Sequence, residues 1–240
     1  LSGSLAGVFL GIASTEFAQV LAASPAGGSV YAATGSALSV ASGRLSYVLG
    51  LHGPCSAYDT ACSAALVACH GGLRALQLNE CVDGVVAGIS VMLAPAAGTS
   101  FAIAGMTSPR GRSHTFDAGA DGYVRGEACG ILVLTCTTDE QATCLNLLGS
   151  AVRQDGRSAS LTAPSGPAQQ GLLVAALSDS ASAANELTLN EVHGTGTALG
   201  DPIEAGSLVG AVLSARDHLE PLALGGVKAN IGHAEPAAGM

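Results

Sequence analysis

The 240-residue sequence has no tryptophan, and it has only four phenylalanines and four tyrosines. Its core must therefore be built from Ala, Val and Leu. Positive charge is nearly as scarce: nine Lys plus Arg stand against eighteen Asp plus Glu, a net charge of −9. Without a basic patch, nucleic acid is excluded as a partner. Charged residues make up 11% of the chain and hydrophobic residues 48%, so most of it must be buried, in one large domain or two small ones. The seven cysteines are odd in number and contain no C-x-x-C pair, which excludes a disulfide framework and a zinc ribbon. No metal is expected, and a reducing compartment fits: the cytoplasm, with a plastid as the alternative. Also missing are G-x-x-x-x-G-K-[ST], H-E-x-x-H, G-x-S-x-G and any N-x-[ST] glycosylation site. Residues 84–109 carry no charge, but Pro95, Gly98, Thr99, Ser100, Gly105 and Ser108 interrupt them. No run of about 20 apolar residues remains, so no membrane span is expected, and the segment reads as a buried strand followed by packed loops or a short helix.

What is present alternates. Short apolar runs at residues 5–12, 82–91, 123–135, 144–153, 187–193 and 222–228 read as strands, the third with a glycine break. Between them, residues 14–23, 40–51, 63–78, 169–183 and 202–213 read as helices. Near-continuous apolar strands alternating with helices predict an α/β layered fold whose sheet is covered on both faces. The thirty-three glycines imply tight turns and close backbone packing.

Three positions carry candidate chemistry. Cys62 stands in DTACSAALVA (59–68), where an extended approach over residues 56–61 meets a helix-forming run. A thiol at a helix N-terminus sees unpaired backbone N–H groups and the positive end of the helix dipole, which favour the thiolate and a developing oxyanion. A buried structural cysteine is the competing reading. His193 opens HGTGTALGDPIEAGS (193–207), and His233 lies in VKANIGHAEPAAGM (227–240), each just after a strand and beside glycines. Strand ends are where α/β sheets place catalytic side chains. A cysteine with two histidines suggests acyl transfer, in which the thiolate attacks a thioester or ester and the imidazoles donate hydrogen bonds or move protons. Gly194, Gly196 and Gly200 miss the dinucleotide spacing by one residue.

These three motifs together resemble the β-ketoacyl synthase (ketosynthase) domain of type I polyketide synthases. TGSALSVASGRLSYVLGLHGP (34–54), FDAGADGYVRGEACG (116–130) and DGRSASLTAPSGPAQQ (155–170) extend the likeness over nearly the whole chain, in order. The resemblance implies a thiolase-like fold, a layered αβαβα sandwich of two similar halves. Residues 1–140 would be the N-terminal half carrying the nucleophile, and 141–240 the C-terminal half carrying both histidines. It implies that Cys62 accepts an acyl group and that His193 and His233 bind the thioester carbonyl while a malonyl-type extender loses carbon dioxide. Lys228 would support the histidines electrostatically with Glu235 nearby, and Thr195 and Thr197 would hold the phosphopantetheine arm. Glu235 stands with those threonines as a substrate-binding candidate. Solvated charge is the competing reading for Lys228, and simple turn formation for the threonines.

Phosphopantetheine would arrive on an acyl carrier protein, with no cofactor bound directly, and the parent enzyme would be a homodimer serving polyketide or fatty acid biosynthesis. Arg110, Arg112, Asp117, Asp121, Arg125, Glu127 and Asp201 are assigned to a structural ion-pair network, and Tyr123 either to the acyl tunnel or to the core. Ala64 and Ala65 stand where the family often has serines, and DGRSASLTAPSG departs mildly from the family loop. The sequence opens without a signal or transit peptide, and it reads as truncated at both ends, without the family's N-terminal region and its later glycine-rich loop. A non-catalytic dimerisation or carrier-docking module and a thiolase-type acyltransferase using coenzyme A are the alternative functions.

Overall fold

Gly7–Ile12 (β1) is the centre around which the first part of the chain is built. In the computed structural model, which describes residues 2–13, 16–137, 144–217 and 221–240, β1 is almost wholly buried. It pairs in parallel with Cys55–Tyr58 (β2) on one side and with Asp83–Ser90 (β3) on the other. Ala128–Thr135 (β4) adds antiparallel to β3, giving the order β2-β1-β3-β4. Ala64–Gln77 (α4) lies over β1 and β3. Its buried residues Ala64, Ala65, Ala68, Cys69, Gly72, Ala75 and Leu76 recur at helical spacing and meet Phe9 and Val86. Helix and sheet approach so closely that a Cβ on Gly11 would collide with the Ala65 backbone, and one on Gly88 would lie 2.7 Å from the Ala65 Cβ. The two glycines thus fix how deep the start of α4 sits, and with it the residues just before.

Leu38–Leu49 (α3) packs on β1 and β2 and ends at Gly50, which takes the left-handed conformation (φ 66°). Glu16–Ala22 (α1), Ala32–Ser36 (α2) and Pro95–Ile103 (α5) complete the helices of this part. The chain divides into two compact units. One holds Leu1–Phe101, Arg125–Ala142 and Ala234–Met240, and the other Ala102–Val124 and Thr143–His233. In the second unit, Leu189–Glu191 (β5) and Ala223–Gly225 (β6) form a parallel pair. Gly166–Asp179 (α6) and Gly200–Ala211 (α7) pack on each other around Leu208, Ala211 and Val212. Lys228–Ile231 (α8) is a single short turn of helix after β6. Among the described residues, no helix is long and apolar enough to cross a membrane.

Most expected elements are present; three differ, and so does the coverage of the sheet. Residues 144–153 form no strand: the backbone finds no ladder partner among the described residues, and Leu145 stays 85% exposed. The strand expected over 123–135 begins only at Ala128. Tyr123 makes one isolated bridge to Thr107, and the segment between is bent to place Arg125 and Glu127 in side-chain hydrogen bonds. The strand expected over 222–228 closes at Gly225, because Gly226 and Val227 turn the chain into α8. Coverage of both sheet faces fails at the β4 edge, where Ile131 and Val133 are 61% and 66% exposed, since α4 only grazes that strand. The start of the helix expected at residue 14 and the boundary expected at 140/141 lie outside the described residues.

Candidate active site

The approach to Cys62 ends in strain. After β2 the chain turns at Ala61, whose φ of 52° is costly for a residue with a Cβ. Hydrogen bonds hold the turn. The Ala61 N–H donates to Asp59 Oδ1 (3.3 Å), and the Ser63 hydroxyl donates to the Thr60 carbonyl and meets Thr60 Oγ1, both at 2.9 Å. One 3-10 turn, Ala61–Ser63, then passes straight into α4. Cys62 is half-buried at this junction, before a fourteen-residue helix whose N-terminal end favours negative charge. Ala64 and Ala65 form the buried face on which the helix start rests, so the departure from serine falls on a packing surface. Cys69, on the same face further along, is a core residue, and burial pushes its thiol up. Burial likewise raises the Cys81 thiol, ahead of its acidic neighbours Glu80 and Asp83.

Within the second unit, the HGTGT loop is held by two carboxylates of α7. Glu204 accepts the N–H groups of His193 and Gly194 at 2.6 and 2.8 Å, one on each oxygen. Asp201, 4% exposed, accepts from Gly196 and Thr197 on Oδ1 (3.1 and 3.2 Å) and from Phe116 on Oδ2 (2.8 Å). Each carboxylate satisfies backbone donors that the tight glycine turns would otherwise leave unpaired. Thr195 is buried. Its hydroxyl lies 3.5 Å from that of Thr197, which in turn accepts the Gly200 N–H at the start of α7.

His233 is fully buried. Its backbone N–H donates to the Val124 carbonyl at 2.7 Å, and its ring meets Tyr123 edge-on at 5.0 Å. A second edge-on contact joins it to His193, with ring centroids 5.4 Å apart and planes at 87°. Lys228, the sequence's only lysine, is 5% exposed and acts on both rings. His193 is exposed as a residue, and only its neighbours on the protein side desolvate the imidazole. Burial first and then the Lys228 charge push it from 6.5 down to about 4, against the opposing pull of Asp201. Burial, then His193, then Lys228 push His233 to about 3. Both imidazoles are therefore neutral at pH 7, each offering one N–H donor and one lone pair.

That neutrality has a thermodynamic consequence. Unfolded histidines bind a proton below about pH 6.5, while these two do not bind one in the fold until about pH 4 and 3. The unfolded state thus holds more protons throughout that window, and stability falls as pH falls. The contribution is fully present above pH 6.5 and is lost progressively as pH falls, through about 4 for His193 and about 3 for His233. Urea midpoints measured from pH 7.5 to 5 should decline on acidification, with a shallower slope in a His233→Asn variant. A flat profile in both would contradict histidines that the fold holds neutral.

The carboxylate of Glu235 is engaged by Arg125. Nε and Nη2 of Arg125 reach its two oxygens at 2.6 and 2.9 Å, and Nη2 also reaches Glu16 at 3.1 Å. Burial pushes the Glu16 carboxyl up, but the N–H groups of Ala94 and Leu93 and the guanidinium outweigh it and hold it below the usual range. Arg110 pairs with Asp121 at 2.8 Å, on the surface. Asp117 Oδ1 accepts from the Gly119 N–H and Glu127 Oε1 from the Met92 N–H. Of the residues picked out from the sequence, the structure gathers His193, His233 and Lys228 in one electrostatic cluster and sets Thr195 and Thr197 in the same loop as His193. Glu204 is not among the residues expected from the sequence, and Asp201 is expected in an ion pair; both instead bind backbone. The available signal was their position, three apart and directly after a glycine-rich turn that needs acceptors.

Two family models match the chain: "Beta-ketoacyl synthase, N-terminal domain" over residues 1–140 and "Beta-ketoacyl synthase, C-terminal domain" over residues 145–240. Among curated relatives, the polyketide synthase GfsB of Streptomyces halstedii is 44% identical over 244 residues, all of this chain and 4% of the relative. The spectinabilin polyketide synthase system protein NorC of Streptomyces orinoci is 43% identical over 242 residues, 99% of this chain and 11% of the relative. Among solved structures, the ketosynthase from module 6 of the bacillaene synthase of Bacillus subtilis 168 is 37% identical, with a TM-score of 0.88 over 100% of this chain and 42% of that one. The oxazolomycin ketosynthase domain OzmH KS7 of Streptomyces albus JA3453 is 33% identical, with a TM-score of 0.89 over 99% of this chain and 42% of that one. The chain thus spans a small part of the curated relatives and about two fifths of the solved ketosynthases. It shares their thiolase-like α/β fold, and by both models it belongs to the β-ketoacyl synthase family.

Proposed function

We propose that this chain carries the nucleophile and histidines of a ketosynthase that condenses an acyl group on Cys62 with a malonyl-type extender held on acyl carrier protein. The observation that carries this reading is the edge-on pair of neutral imidazoles, His193 and His233, beside the buried Lys228. Residues 1–140 and 141–240 are taken as its N- and C-terminal halves, and the enzyme as a cytoplasmic homodimer in polyketide assembly.

In the first half-reaction, Cys62 Sγ attacks the carbonyl of an acyl thioester, and the phosphopantetheine thiol of the carrier leaves with the proton. In the second, the malonyl thioester oxygen accepts hydrogen bonds from the N–H groups of His193 and His233. The bond to the carboxylate breaks, carbon dioxide leaves, and its electron pair becomes the enolate. Neutral donors suit this step because they stabilise charge that appears only in the transition state. The enolate carbon then attacks the acyl carbonyl on Cys62, and the thiolate leaves. Burial, reinforced by the Lys228 charge, keeps the imidazoles neutral, and Thr195 and Thr197 bind the phosphopantetheine arm. Phosphopantetheine is a carrier of substrate, so the protein needs no cofactor of its own for these steps.

The full-length protein, given an acyl-carrier thioester and malonyl-carrier thioester, is expected to release carbon dioxide and form a 3-oxoacyl thioester in equal amounts. Binding of both carriers without carbon dioxide release or product would favour a docking module instead.

A further inference from the structure

Residues 113–124 form a strap beneath both histidine loops of the second unit. Its far end holds His233 through the Val124 carbonyl and the Tyr123 ring, and the Val124 N–H donates to Ser113 Oγ at 3.1 Å. The near end meets the HGTGT loop. There the Phe116 N–H is fixed on Asp201, and the Thr115 hydroxyl donates to the Gly194 carbonyl at 2.5 Å. Gly194 has φ 47°, and a Cβ on it would fall 2.5 Å from Thr115 Cγ2. A Cβ on Gly226 would lie 3.1 Å from the same methyl. One side chain therefore hydrogen-bonds the residue after His193 and limits the space beside the residue two before Lys228. A β-branched side chain has little χ1 freedom, so its hydroxyl and methyl cannot move separately.

We propose that Thr115 is a positioning residue for the histidine chemistry: its hydroxyl orients the Gly194 peptide, and its methyl spaces the His193 loop from the Gly226 turn that leads to Lys228. The proposal rests on the condensing reading above. Without the hydroxyl, the Gly194 carbonyl loses its donor and the peptide next to His193 is free to rotate. A displacement of about 1 Å is enough to cost a well-oriented reaction one to two powers of ten.

The test uses Thr115→Val, which keeps the shape and removes the donor, and Thr115→Ser, which keeps the donor, both in the full-length protein. Malonyl decarboxylation is measured per acylatable Cys62, so that loss of folded protein is divided out. Thr115→Val is expected to lower this per-site kcat by about 10-fold with KM for the malonyl carrier within about threefold, and Thr115→Ser to recover most of the loss. Amide exchange at Gly194 and Thr195 should quicken in Thr115→Val and not in Thr115→Ser. A Thr115→Val rate within twofold of wild type, a Thr115→Ser rate no better than that of Thr115→Val, or loss of acylatable protein in both variants would each overturn the proposal. If the wild type itself releases no carbon dioxide, the condensing reading fails separately. Exchange then decides the role of Thr115, and equal exchange in wild type and Thr115→Val overturns it.

Discussion

Cys62→Ala is expected to remove acyl loading altogether and to lower condensation by roughly 10⁴-fold or more, the scale seen when an enzyme loses its covalent nucleophile. The selectivity follows from position. Cys62 is the cysteine that stands at the strained turn into α4, half-buried and before the positive end of a long helix. Cys69 and Cys81 are buried thiols pushed up by desolvation, which disfavours the reactive thiolate. Cys55, Cys129, Cys136 and Cys144 are exposed, and none sits before a helix. Mass spectrometry of the full-length protein after incubation with an acyl thioester should therefore place the added mass on the peptide containing Cys62 alone. Release of carbon dioxide from malonyl substrate, which needs no sulfur nucleophile, should survive the substitution. Labelling that persists in Cys62→Ala, or that falls mainly on Cys129 or Cys136, would sink the assignment.

The position of Cys62 was legible in the sequence because it depends on local pattern. An extended approach followed by an Ala- and Leu-rich run predicts a strand–helix junction; the helix formed within one residue of expectation at each end, while the strand closes at Tyr58, three residues early, because the chain turns at Ala61. The same holds for β1, β3 and α7, whose hydrophobic spacing matches their burial. What could not be read depends on partners distant in sequence. Leu145 and Leu148 give residues 144–153 the composition of a strand, but a strand exists only where a neighbour accepts its ladder. The ion-pair role expected of Arg125 holds, but its partners could not be named: only the fold brings Glu16 and Glu235, more than a hundred positions away on either side, to its guanidinium. Glu204 and Asp201 bind backbone N–H groups, and such groups carry no side-chain signature. Thr115 is hidden for the same reason: its partners are a carbonyl and two glycines.

His193→Ala and His233→Ala should each slow malonyl decarboxylation by about 10²–10⁴-fold, the usual range for losing a general acid–base or oxyanion group, while acyl loading of Cys62 changes little. The two rings meet edge-on at 5.4 Å and both are held neutral, and on the condensing reading each donates one N–H to the malonyl thioester oxygen. Donors that share one oxygen act as a unit. The double variant should therefore lose much less than the product of the single losses. His233 is fully buried and packs against Tyr123, so its removal also opens a cavity; His233→Asn, which keeps a polar side chain, guards against reading lost packing as lost chemistry. The amount of Cys62 that can be acylated reports the folded fraction in every variant, and the decarboxylation rate is divided by it. Unchanged carbon dioxide release per acylated site in both single variants would reduce His193 and His233 to structural residues. Fully multiplicative losses would mean that they serve different steps, and the shared-oxygen geometry would have to be abandoned.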